Sequence, residues 1–376
     1  MEQSSFFAEQ KPGSAVKTDI VTKYFQAWAS ILASRSSVPA IAYVDLFAGS
    51  GVYENGVEST PILILKLALG NKKFHNKIVT VFNDVNSEYV TSLQDRVSEI
   101  EGLDRLRHPP LILNEKVEGR LSHTVQLRSS FPTFSFIDPF GYLGVTQSLI
   151  EDAMSAWGSE CVLFFNYNRI NSAINNETVK QHVDALFTRE IANELRRLKT
   201  TNTSPARRED AILKGLSKSL NPDGDRYVLF FRFRARDKDR TSHYIVHLTK
   251  HQRGYFIMRD VMAGASAVRG GIPLFEWSPE EAEQLPLSLE IPGSPSIPEL
   301  KARILLKMRG KTIEAKRCYE EVTLLTSYLR KHFVQAVNEL ELERQVIIDK
   351  PRTQRQRRDG RLTLGDTVKL TFPWEH

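Results

Sequence analysis

The chain has 376 residues, 41% of them hydrophobic and 26% charged, with two cysteines and a formal net charge of +6. That length can bury a sizeable core and suits one large domain with an appendage, and the composition is that of a globular rather than a disordered protein. Cys161 and Cys318, in separate apolar or helical contexts, make neither a disulfide framework nor a Cys/His zinc cluster, and nowhere do about 18 apolar residues run unbroken.

The first residues, "MEQSSFFAEQKPGSAVKTD", lack the basic-then-apolar layout of a secretory leader, so a cytoplasmic location without a membrane partner is expected; with no Cys/His cluster in the sequence, no resident metal is expected either. Charge is unevenly spread. From Glu299 to the end there are 17 Lys/Arg against 11 Asp/Glu, the whole excess, while residues 1–298 hold 34 of each.

Apolar runs of strand length occur at "AIAYVDLF" (40–47), "KIVTVFND" (77–84), "PPLILNEKV" (109–117), "TFSFIDPF" (133–140) and "ECVLFFNYN" (160–168). Helix-period segments such as 60–69 and 87–100 alternate with them, which predicts βαβ units around a parallel sheet covered on both faces. Residues 171–224 read as a helical insertion, and "DRYVLFFRFRARD" (225–237) with "TSHYIVHLTKH" (241–251) as an antiparallel hairpin closing the same sheet. The main domain is then 1–170 with 225–290, followed by a Pro-rich linker at 291–298. In 299–376, helices over 299–309 and 319–343 precede a strand, a basic loop with an Asp-Gly turn and a second strand, the outline of a winged helix.

Three strands end in an acid. In an open parallel sheet a ligand lies beyond the carboxyl ends of the strands, and the turn after the first strand must admit it close to the backbone. Ala48, Gly49 and Gly51 in "VDLFAGSG" (44–51) suit that turn, whose NH groups can receive a carboxylate. Asp45 would meet the ammonium of an amino-acid ligand, with Phe47 beside it, and Asp84 both hydroxyls of a ribose. Asn114 or Glu115 would lie near an adenine ring. The plainer alternatives are a tight turn without ligand, and N-cap roles for Asp84 and Asp138. An NAD site would lack its third glycine.

"VDLFAGSG", "FNDVNSEY" and "FIDPFGY" resemble motifs of class I S-adenosylmethionine (SAM)-dependent methyltransferases, the nucleic-acid adenine-N6 enzymes especially. In order, "KTDIVTKYFQAW" (17–28), "VDLFAGSGVYENG", "FIDPFGY" and "HLTKHQRGYFIMRD" (247–260) resemble the three-Cys-motif partner (TcmP) family, over most of residues 15–375. The resemblance implies a Rossmann-like methyltransferase domain, SAM as cofactor, and a radical-SAM-like partner protein carrying three cysteines. It places the acid-Pro-Pro-aromatic acceptor site on Asp138, Pro139, Phe140 and Tyr142. There the Asp and a following backbone carbonyl would accept from an exocyclic amine while an aromatic ring stacks on the flipped base. The second proline is replaced by Phe140 and the aromatic comes one residue late, as Tyr142. "FFNYNRIN" (164–171) follows the fifth strand and suits base edges or phosphate, or a plain polar loop; "LTKHQRGYFIM" suits a hairpin end with solvated charges.

In the tail, Lys350, Arg352, Arg355, Arg357, Arg358 and Arg361 would neutralise phosphates, and Arg330, Lys331, His332 and Gln335 would start a helix that reads a major groove. The expectation is a SAM-dependent methyltransferase acting on DNA or RNA. The alternative is a non-catalytic nucleic-acid-binding adaptor that keeps the fold.

Overall fold

Runs that are apolar at every position become strands covered on both sides. The computed structural model describes residues 12–53, 56–122, 131–141, 144–201, 204–235, 240–279, 295–350, 352–358 and 361–374. Strands β1 (Ile41–Asp45), β2 (Ile78–Asn83), β4 (Thr133–Ile137) and β5 (Glu160–Phe165) fall within the expected runs, and the first three are buried throughout. β3 is only Leu111–Leu113, half-buried, shorter than its apolar run. The hairpin is β6 (Tyr227–Arg234) and β7 (Thr241–Thr249).

After β7 the chain forms the short antiparallel pair β8 (Val268–Arg269) and β9 (Ile272–Pro273) and then β10 (Glu276–Trp277), and the main sheet is ordered β10-β6-β7-β5-β4-β1-β2-β3. β1 to β5 pair in parallel, and β7 runs antiparallel to both β5 and β6. The chain runs outward from β1 to β3 and then returns to place β4 on the other side of β1. The order therefore reverses there, at the ends of β1 and β4, which is where an open α/β sheet holds its ligand. This large, mostly parallel sheet has the Rossmann-like form that the alternation of strands and helices predicts.

Period-two alternation along β1 separates two kinds of core. Tyr43 faces helix α1 (Pro12–Ala33), whose Phe25 meets it edge-on at 5.0 Å, and Tyr24, Phe25 and Trp28 each meet Phe134 within 6 Å. Ala42 and Val44 face an aliphatic cluster instead. That cluster includes Ile170 of α5 (Tyr167–Ala173), Val183 and Phe187 of α6 (Lys180–Phe187), Ile191 and Leu195 of α7 (Arg189–Thr200), and Ile212 and Leu216 of α8 (Pro205–Leu220). The helical insertion thus completes one face of the main core. Helices α2 (Thr60–Gly70), α3 (Ser87–Ser98) and α4 (Gln147–Ala153) follow β1, β2 and β4.

The "LTKHQRGYFIM" stretch is the end of the hairpin with Lys250 and Arg253 exposed, as expected, but the residues leading into it are anchored inside. His247 and Thr249 at the end of β7 are fully buried and turn inward to Glu160 at the start of β5, at 2.8 and 3.0 Å, and Tyr24 of α1 donates to the same carboxylate. Helix α9 (Gln252–Gly264) approaches so closely that a Cβ on Gly254 would lie 2.6 Å from Glu160 Oε1 and 2.7 Å from Thr249 Oγ1. Gly254→Ala should therefore cost about 3 kcal/mol, the upper range for overpacking a dense core. Equilibrium urea unfolding measures this, and a loss below about 0.5 kcal/mol contradicts the packing.

The described residues form two compact units, one within 1–265 and 277–282, the other within 266–276 and 283–376. In the second, α10 (Ile297–Met308) is capped by Ser296 and followed by β11 (Thr312–Glu314), a strand absent from the sequence reading. The helix expected over 319–343 is two, α11 (Ala315–Thr323) and α12 (Arg330–Leu342), broken where Leu325 takes a φ of 58°. The closing strands β12 (Ile347–Ile348) and β15 (Lys369–Thr371) join β11 in one antiparallel sheet ordered β11-β15-β12. Between them β13 (Arg357–Arg358) and β14 (Arg361–Leu362) form a small hairpin. Among the described residues no helix is long and apolar enough to cross a membrane. Both cysteines are buried, and burial pushes each thiol up to about 12, so neither ionises near neutrality.

Candidate active site

Asp45 is the last residue of β1, Asp84 follows β2 and Asp138 follows β4, so all three stand at the carboxyl ends beside the reversal of strand order. The glycine turn after β1 needs its glycines: Gly49 and Gly51 have φ of 67° and 86°, and a Cβ on Gly51 would lie 2.9 Å from Leu93 Cδ1. Asp84 locks this turn to β2. Its Oδ2 accepts from Gly49 NH at 3.0 Å and its Oδ1 from Asn86 NH at 2.9 Å. Asn114 donates to the Asp84 carbonyl at 2.8 Å, and Ala48 NH donates to the Asn83 carbonyl at 2.8 Å.

The structure therefore gathers Asp45, Ala48, Gly49, Asp84 and Asn114 at one place. One expectation changes. The NH groups of Ala48 and Gly49 are already donated within the chain, so they do not stand open for a ligand carboxylate, and the turn contributes closeness instead. The N-cap alternative for the acids also resolves: Asn86 caps α3 by accepting from Glu88 NH, and Thr146 caps α4 by accepting from Leu149 NH. Asp84 and Asp138 are left for other work.

Asp45 is 1% exposed, and its carboxyl accepts from Phe47 NH at 3.1 Å. Burial pushes it up to about 8, with a further push from Asp138 and Asp84 and opposition from the Phe47 NH and Lys17. Beside it Lys17 of α1 forms an ion pair with Asp138 Oδ2, the two side chains 11% and 21% exposed. Burial pulls the Lys17 ammonium down, but Asp138, Tyr53 and Asp45 outweigh it and hold the group above the usual lysine range.

The Lys17 ammonium also lies 4.5 Å from the centre of the Phe164 ring, which stacks on His243 at 4.7 Å. At the rim Phe140 is 47% exposed, with the Arg169 guanidinium 4.7 Å from its ring centre. Pro139 is buried, and its carbonyl accepts from Gly141 NH at 2.7 Å. Tyr142 lies outside the described residues. The "FFNYNRIN" stretch is the end of β5 and the start of α5, with Asn166 as the N-cap and Arg169 exposed.

Lys17 and Tyr53 are the site residues the sequence reading missed. Lys17 opens the "KTDIVTKYFQAW" stretch, but it sits on a helix and at no strand end, so nothing local marked it.

In the second unit the tail cations fall into two groups. Arg330 donates to the carbonyls of Ala315 and Leu364 and to Asp366, while Arg352 and Arg355 both pair with Glu341 and Arg355 is buried. Lys331, Lys350 and Arg357 are exposed, and Arg357, Arg358 and Arg361 are strand residues of the small hairpin.

No family model matches the chain, and no curated protein matches it. Among solved structures it is similar to the methyltransferase domain of bacterial CtHen1, at 14% identity and a TM-score of 0.33 over 60% of this chain and 96% of that one. It is similar to the glycopeptide N-methyltransferase MtfA complexed with sinefungin at 11% identity and 0.31, over 64% and 98% of the two chains. The plantazolicin methyltransferase BamL, in complex with a triazolic desmethylPZN analog and S-adenosylhomocysteine (SAH), gives 11% and 0.32 over 65% and 88%.

Proposed function

We propose that this chain is a SAM-dependent methyltransferase acting on nucleic acid, working with a radical-SAM-like partner protein that carries three cysteines. The observation that carries the reading is the tie between Gly49 and Asp84 at the ends of β1 and β2, beside the reversal of strand order, with the buried Asp45 carboxyl next to it. Asp45 fits the cofactor on its own evidence: a carboxyl raised by burial is one that an incoming ammonium would ionise. Asp84 would hold the ribose hydroxyls through the lone pairs that Gly49 and Asn86 leave, with Asn114 at the adenine edge. SAM supplies an electrophilic methyl group on a sulfonium. Phe140, exposed at the rim, offers a face for a base to stack on.

Nucleic acid is supported by the second unit. Helix, strand, two helices, strand, hairpin and strand, with the sheet ordered β11-β15-β12, is the sequence of elements we read as a winged helix. Arg352 and Arg355 brace the base of the ribbon through Glu341, which leaves Lys331, Lys350, Arg357, Arg358 and Arg361 as the phosphate contacts of the reading. The partner rests on the motif resemblance alone, and co-purification with a three-cysteine protein tests it.

Calorimetry with SAH, followed by incubation with methyl-labelled SAM and DNA, RNA or tRNA, tests the rest. Label transfer by the wild type that falls at least 100-fold in Asp138→Ala supports an enzyme; a flat titration sinks the reading. The engagement of Asp138 by Lys17 favours one second reading, an adaptor that binds SAH but transfers no label.

A further inference from the structure

We infer that the acceptor atom is a hydroxyl oxygen rather than an amine nitrogen, and that Lys17 and Asp138 together activate it. This rests on the methyltransferase reading above and deepens it. Methylation of an exocyclic amine needs two hydrogen-bond acceptors aimed at the N–H groups, an acid and a following backbone carbonyl. In this chain Lys17 holds Asp138 Oδ2 and Gly141 NH donates to the Pro139 carbonyl at 2.7 Å, so of that set Asp138 Oδ1 is the one acceptor left for a single substrate proton.

What the site adds is a buried cation, and a cation discriminates between the two kinds of acceptor. An amine nitrogen has one lone pair, so a Lys17 N–H directed at it would occupy the pair that must attack. A hydroxyl oxygen has two. One can accept from Lys17 while the other attacks, and the hydroxyl proton points to Asp138 Oδ1, the oxygen Lys17 leaves. The Lys17 ammonium keeps its proton, since Asp138, Tyr53 and Asp45 outweigh the effect of burial, and so it stabilises the negative charge growing on the oxygen. Asp138 takes the hydroxyl proton as the new O–C bond forms and the carbon–sulfur pair stays on sulfur; the proton then passes to water. Phe164, with its ring 4.5 Å from the ammonium and stacked on His243, holds the lysine stem in line.

Nucleic acid narrows the class further. Internal nucleotides of DNA carry no free hydroxyl, whereas each ribose of RNA carries one at the 2′ position. The acceptor is then a ribose 2′-hydroxyl of RNA.

The test uses the full chain with unmodified tRNA and rRNA transcripts, DNA of the same sequence and methyl-labelled SAM. The expected product is label in dinucleotides that resist alkali, because a 2′-O-methyl group removes the hydroxyl that alkaline cleavage requires, with no label in DNA. Lys17→Met should lose at least 100-fold in transfer while SAH affinity changes less than threefold and the thermal midpoint shows a folded protein; Lys17→Arg, which keeps the charge, should recover part of the rate. Label on a base nitrogen, equal labelling of DNA, or a Lys17→Met variant as fast as wild type overturns the inference and leaves the methyltransferase reading standing. Wild type that binds SAH yet labels no RNA also overturns it. Wild type that binds no SAH removes the reading beneath both.

Discussion

Asp84→Ala should weaken SAH binding by roughly 100-fold or more, because two hydrogen bonds to a charged acceptor are worth about 1.5–3 kcal/mol each. The side chain has a second task that adds to the loss. It anchors Gly49 NH and Asn86 NH, so its removal frees the turn after β1 as well as the ribose. Asp84→Asn keeps only one acceptor oxygen and should fall between the two. The fold should survive, since Asn83 ties the same strand ends by donating to the Leu46 and Glu115 carbonyls at 3.1 and 3.0 Å. Isothermal titration decides, and an alanine variant within threefold of wild type removes Asp84 from the cofactor site.

Binding of SAH at pH 7 should release close to one proton, and none in Asp45→Asn. The Asp45 carboxyl, pushed up to about 8, is mostly protonated in the free protein at that pH, and an ammonium placed against it brings it down into the ionised range. Titration in phosphate and in Tris, whose ionisation enthalpies differ, counts the proton directly. The same carboxyl sets a slope of stability with pH. Its folded value lies above the unfolded one of 3.8, so its contribution is full below about pH 4 and is lost as pH rises toward about 8, by roughly 1.4 kcal/mol per unit. Asp45→Asn should remove that slope and be the more stable protein at pH 8. Identical proton release by the two proteins would place the coupling elsewhere.

The strands that hold this site were legible because a doubly covered strand must be apolar throughout, and the acids were legible because each interrupts such a run. Asp45, Asp84 and Asp138 therefore stood out, and the structure puts them at neighbouring strand ends. The bonding among them was not legible. Which donors satisfy Asp84 depends on where α3 begins, and Asn86 rather than Asp84 turned out to be its cap. Lys17 was hidden for a different reason: its partner Asp138 is 121 residues away, and a lone lysine on an amphipathic helix usually faces water. In the tail, composition marked a basic ribbon but could not separate arginines that brace it from those at its surface, because Arg352 and Arg355 find Glu341 only after α12 has packed.

One helix holds both the buried lysine and the tyrosine that meets Glu160. Lys17 and Tyr24 are two turns apart on α1, about 10 Å at 1.5 Å per residue. A stiff rod clamped at one point has its far tip calibrated by the clamp. Loosening the grip of Glu160 on Tyr24 would let the rod slide along the sheet, and a slip of one ångström at the tip is enough to pull Lys17 out of line with Asp138. Damage remote from the Lys17–Asp138 pair would then first be seen as a detuned site and only later as a melted fold.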